Sequence, residues 1–148
     1  MGHVFAEITL RNGSDIVLAR RGHISEQNIR TITLTAMVDT GARTLVMGDV
    51  LREQLGLAVV ATDTVTLADG AEAPCGITEP VEVSWQDRVS CVRAWVLPGD
   101  ETVLIGVIPL EEMDLVVDPL TQQLVRPQKP RRMVSGYVQL KSCPLSLP

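Results

Sequence analysis

Two kinds of period organise the chain. Residues 29–38 alternate for several positions, as a strand with one buried face does, and then turn continuously apolar at Ala36-Met37-Val38. That strand runs inward and delivers Asp39 at its end. Upstream, residues 4–10 lead to Asn12-Gly13, a dipeptide suited to the positive φ angles of a tight turn, so residues 15–19 are expected to return as the second strand of a hairpin. Residues 20–28 are polar and contain Gly22. Residues 48–56 change period: Val50, Leu51 and Leu55 fall at helical spacing, with Asp49 as expected N-cap and Gly56 at the C-terminal end.

Alternation resumes at residues 62–68, and Asp69-Gly70 signals a hairpin turn into residues 71–77. Residues 81–85 and 89–97 flank Gln86-Asp87-Arg88 as a third hairpin, with Val81, Val83 and Trp85 on one face. A short apolar strand at 102–105 ends at Gly106, Pro109 can start a helical turn through Met113, and further strands are expected at 115–117 and 124–125. Turn signals recur about every ten residues with only one or two short helical pieces, which predicts an all-β closed barrel or sandwich.

Length and composition fit this picture. One domain is the default for 148 residues, assigned here to residues 1–126. Aromatic residues are only 3%, so the core is expected to be Val, Leu, Ile and Ala, with Trp85 and Trp95 as its two large pieces. A net charge of -5 argues against nucleic acid as a partner, because phosphate binding is driven by positive charge. The local exception is the cluster Arg126 to Arg132, with two prolines, which opens a basic linker and tail over 127–148. Residues 134–140 within it have strand-like composition.

Cys75, Cys91 and Cys143 are odd in number and lack ligand-type spacing, so buried free thiols are expected, with no disulfide framework and no metal. No cofactor is implied. Neither a signal peptide nor a membrane-length apolar stretch is visible, and a reducing, cytoplasmic setting without a membrane partner is the expectation. His3 and His23 have no partner at ligand spacing, and Glu111-Glu112 reads as a solvated helix face.

The chemistry centres on Asp39. Water can attack a peptide carbonyl when one carboxylate takes its proton and a second, protonated carboxyl polarises the carbonyl oxygen; two carboxyls so close cannot both ionise and must share a proton. Asp39 is followed by Thr40, whose hydroxyl can brace a loop, and by Gly41, which lets backbone approach closely. Met37-Val38-Asp39-Thr40-Gly41-Ala42 resembles the active-site signature of retropepsins and their bacterial relatives. Val103-Leu104-Ile105-Gly106 resembles the family's second signature, and Leu115-Val116-Val117-Asp118-Pro119 is similar to the ending of bacterial members. The resemblance spans residues 29–119.

It implies a retropepsin-like barrel active as a homodimer, an aspartic endopeptidase working at mildly acidic pH. Asp39, Thr40 and Gly41 would be catalytic, with Thr40 bracing the two loops across the interface. An extended polypeptide substrate would lie near Ala42, Arg43, Ile105 and Gly106 beneath a flap hairpin turning at Asp69, Gly70 and Ala71, held through main-chain hydrogen bonds. Asp63, Asp100, Asp114 and Asp118 lie in no second Asp-Thr/Ser-Gly, so the second carboxyl must come from another chain. Residues 134–140 would add a strand to the dimer interface. Arg43 and the alanine-rich, glycine-poor flap depart from the viral pattern. They motivate the alternative of a dimeric peptide-binding module that does not cut. A third reading, from the tail alone, is a subunit or scaffold of a larger assembly.

Overall fold

The computed structural model describes residues 2–99 and 102–127. Strand β1, Val4–Asn12, buries every second side chain, and its Val4, Ala6, Ile8 and Leu10 enter the core. It runs antiparallel to β2, Thr31–Val38, in a register from Val4 opposite Val38 to Arg11 opposite Thr31. Strands β3, Leu45–Met47, β4, Val59–Thr66, β5, Glu72–Trp85, β6, Arg88–Val96, and β7, Leu104–Ile105, complete a seven-stranded sheet in the order β1-β2-β7-β3-β6-β5-β4. The end of β1 also pairs with β5, Thr9 to Asn12 against Ser84 to Val81. A separate two-stranded sheet joins β8, Val116–Asp118, to β9, Gln123–Val125.

The expected N-terminal hairpin does not form. Asn12-Gly13 opens helix α1, Gly13–Arg20, and β2 takes the place of the returning strand. Buried Asn12 accepts the Asp15 N–H on its side-chain oxygen at 3.0 Å, as an N-cap does, and its amide donates to the Leu55 carbonyl at 2.8 Å. Asp15 then grips Arg30 at the foot of β2 through two side-chain hydrogen bonds and the Arg30 N–H. An Asn-Gly pair serves a turn and a helix start equally well; distant partners decided between them.

Helix α2, Asp49–Gln54, is capped at Gly48, one residue before the expected Asp49, and Gly56 follows its end at φ +62°. Helix α3, Val107–Glu112, starts two residues before the predicted Pro109. Among the described residues three α-helices and a 3-10 turn at Glu26–Asn28 exceed the one or two helical pieces expected, and the fold is mostly β. The two segments read as separate strands around Pro80 are one strand, β5, kept continuous by a register shift between Ile77 and Pro80.

The core is aliphatic, with Ile8, Leu10, Leu45, Met47, Leu55, Leu57, Val81, Val83, Ile105 and Met113 all but fully enclosed. Neither tryptophan belongs to it as expected: Trp85 is half-buried at its margin and Trp95 is half-buried on the outward face of β6. Cys75 is buried but Cys91 is exposed, because outward positions of β6 alternate with buried Val92 and Ala94. Cys143, the strand expected at 134–140 and most of the basic tail lie outside the described residues; Arg126 pairs with Asp87 at the β5–β6 turn. Among the described residues no helix is long and apolar enough to cross a membrane.

Candidate active site

Strand β2 ends by lying parallel to β7, with Met37 opposite Leu104 and Val38 opposite Ile105. The next residue is Asp39. Its N–H donates to the Ile105 carbonyl at 3.0 Å, and its own carbonyl accepts from the Ala42 N–H at 3.0 Å, so the backbone turns directly after the acid. One carboxylate oxygen accepts the Gly41 N–H at 2.8 Å. Among the described residues the other oxygen has no hydrogen-bond partner, and Asp39 is half-buried beside exposed Thr40 and Gly41.

The far side of the turn is tied to α3. Val107 N–H donates to the Ala42 carbonyl at 3.0 Å and Ile108 N–H to the Arg43 carbonyl at 2.9 Å. Gly106 makes this approach possible. A β-carbon there would lie 2.5 Å from the Ala42 oxygen and 2.6 Å from the Thr44 oxygen, contacts no side chain tolerates. The 39–43 loop is therefore clamped by backbone hydrogen bonds on both sides, and the acid it carries is held rigidly while facing outward.

Of the residues singled out from the sequence, Asp39, Thr40, Gly41, Ala42, Arg43, Ile105 and Gly106 come together in this one construction. Among the described residues the Thr40 hydroxyl has no hydrogen-bond partner. Asp69, Gly70 and Ala71 form the tip of the β4–β5 hairpin. Leu67 N–H donates to the Ala71 carbonyl at 2.7 Å, Asp69 accepts the Ala71 N–H at 2.9 Å, and Gly70 sits at φ +85°. Among the described residues no hydrogen bond or ion pair joins this tip to the Asp39 loop, and β4 is exposed along nearly its whole length. Nor does any cluster of three or more His, Cys, Asp or Glu there stand ready to hold a metal.

Residues the sequence reading passed over adjoin the loop. Thr44 donates its hydroxyl to the Arg93 carbonyl at 3.2 Å, and Leu45 lies opposite Ala94 in the parallel β3–β6 pair. Arg43, Arg93, Ile77 and Trp95 consequently line one open cavity of about 420 Å³. The outward alternation of β6 was the signal for Arg93 and Trp95; their nearness to Arg43 had none.

The comparisons with known proteins agree with this construction. The family model described as aspartyl protease matches residues 25–108, which include Asp39, the β4–β5 hairpin and Gly106. No curated protein sequence matches the chain. In structure it is similar to the retroviral protease-like domain of Ddi1 from Leishmania major, with TM-score 0.53 and 15% identity over 87% of this chain and 91% of that one. At that identity the likeness speaks for the fold. With more than half of its length matched by the family model, and with the Asp-Thr-Gly loop clamped between β7 and the head of α3, the chain belongs to the aspartyl protease family and carries its retropepsin-like fold.

Proposed function

We propose that the chain is an endopeptidase active as a homodimer, in which Asp39 and its copy from a second chain form the catalytic pair. The observation that carries this is the rigid, outward-facing Asp39 carboxylate, which keeps one oxygen without a partner among the described residues and has no second Asp-Thr/Ser-Gly in its own sequence. A twofold axis near Gly41 would bring two such carboxyls together. Sharing one proton, the ionised member takes a proton from water as the water oxygen bonds to the peptide carbonyl carbon, and the protonated member donates to the carbonyl oxygen. The C–N bond then breaks as the amine nitrogen takes a proton from the carboxyl that received it from water. A hydroxyl of the tetrahedral intermediate meanwhile gives its proton to the other carboxylate and becomes the carbonyl of the new acid.

In this reading Thr40 braces the paired loops, since its hydroxyl is not used within the described residues. The substrate runs extended past Ala42, Arg43, Ile105 and Gly106 under the hairpin tip at Asp69, Gly70 and Ala71. The additional β1–β5 pairing, which leads the order of strands back to its start, supports a closed barrel as the body that holds the site. The shared proton sets the working range on the acid side of neutrality.

Arg43 and the plain hairpin tip favour one rival, a dimer of the same fold that grips peptides without cutting them. One experiment separates the two: wild type and Asp39→Asn are incubated with a mixture of unstructured peptides from pH 4 to 7, and products are read by mass spectrometry. New termini from wild type alone are expected, with a loss of at least about a thousandfold in Asp39→Asn. Asparagine can still accept the Gly41 N–H, so the fold should persist; identical products from both proteins would sink the protease reading.

A further inference from the structure

We propose that the cavity beside the Asp39 loop is a subsite for an acidic side chain, so that the polypeptides this protein takes carry a glutamate or aspartate near the point where they cross Ala42 and Arg43. The proposal rests on the reading of the site as one that receives extended polypeptide, and deepens it by naming the substrate class.

Arg43 and Arg93 reach the cavity from different elements. Arg43 has its carbonyl tied to Ile108 at the head of α3, and Arg93 lies on the outward face of β6, whose neighbours Val92 and Ala94 are buried. The Thr44 hydroxyl bond to the Arg93 carbonyl holds the two backbones side by side. Among the described residues neither guanidinium makes a hydrogen bond or an ion pair, although the chain as a whole is acidic.

Two carboxylates, Asp63 and Glu112, line the same cavity, so net charge alone does not choose the ligand. Geometry does. Asp63 accepts the Thr64 N–H at 2.8 Å and Glu112 the Cys91 N–H at 3.2 Å, and neither accepts from Arg43 or Arg93 among the described residues. Each guanidinium keeps five N–H groups in a planar fork that matches a carboxylate. Ile77 and Trp95 supply an apolar wall against which the methylenes of a glutamate pack. Arg43 is four residues from Asp39, and side chains of an extended peptide alternate along its length, so a peptide crossing Ala42 presents a side chain toward this cavity.

The test is binding, measured by fluorescence anisotropy with full-length Asp39→Asn protein so that nothing is cut. The probes are labelled unstructured peptides in matched sets carrying Glu, Gln or Lys at each position in turn. Glu peptides are expected to bind about fivefold more tightly than their Gln counterparts at one position. In the same background Arg43→Gln and Arg93→Gln should each erase that difference, and Arg43→Glu should turn the preference toward Lys, which a merely structural arginine would not do. Equal binding of Glu and Gln peptides, preference for Lys in the parent, absence of binding, or a Glu preference that survives both glutamine variants would each overturn the proposal. Asp39-dependent cleavage by wild type is read separately, so an enzyme without acidic preference and an acidic-peptide binder without cleavage give different results.

Discussion

At Gly106 a hydrogen atom in place of a side chain decides how closely α3 approaches the Asp39 loop. In Gly106→Ala the new methyl group meets the carbonyl oxygens of Ala42 and Thr44, which are backbone and cannot swing aside. We expect about 2–3 kcal/mol of lost stability in urea unfolding, with peptide cleavage falling further than stability because Asp39 is displaced. Asp15 is a second decisive residue. Hydrogen bonds from the Arg30 side chain hold its carboxyl below the ordinary value despite its burial. A depressed folded pKa means stability that is present above the unfolded value near pH 4 and is lost as pH falls through the folded one. Asp15→Asn should therefore cost about 1–2 kcal/mol at pH 7, modest because Arg30 is half exposed, and the gap from wild type should shrink below about pH 4 in urea titrations at several pH values. The Gly106 role was legible in a short motif, whereas the Asp15–Arg30 pair, 15 positions apart, had no pattern to announce it.

Among elements, α1 is where local signals misled. Asn12 sits at 0% exposure and ties three things together: the α1 start through Asp15 N–H, the α2 end through the Leu55 carbonyl, and the foot of β2 through its own N–H to the Arg30 carbonyl. Replacing Asn12 with alanine removes the cap and strands the Leu55 carbonyl, and we expect about 2–3 kcal/mol of destabilisation. The midpoint of urea unfolding should fall at unchanged slope. By contrast the β4–β5 and β5–β6 hairpins appear where their turn residues predicted them, because each tip is closed by contacts between near neighbours, such as Leu67 with Ala71.

For the whole molecule the central matter is that one chain offers one Asp-Thr-Gly. If the catalytic pair is shared between two chains, specific activity should fall on dilution as dimers separate. Adding a several-fold excess of inactive Asp39→Asn chain should depress wild-type cleavage well beyond simple dilution, since mixed dimers carry a single carboxyl. A cleavage rate per chain that is independent of concentration and of added Asp39→Asn would remove the shared pair. Arg43 and Arg93 belong to this scale too, since α3, β3 and β6 must all be in place before both arginines line one cavity.

Order along the chain was enough to mark the strand that ends at Asp39, the glycine that must follow β7, the two hairpin turns and the family resemblance, because each rests on side-chain period or on chemistry within a few neighbouring residues. Tertiary structure alone decided that Asn12-Gly13 starts a helix, that β7 slots between β2 and β3, and that Arg93 stands beside the Asp39 loop. Those outcomes depend on partners far apart in sequence, 49 positions in the case of Thr44 and Arg93. Such pairs are chosen by the joint packing of the aliphatic core and the pairing of backbone groups, and no stretch of local sequence carries that information.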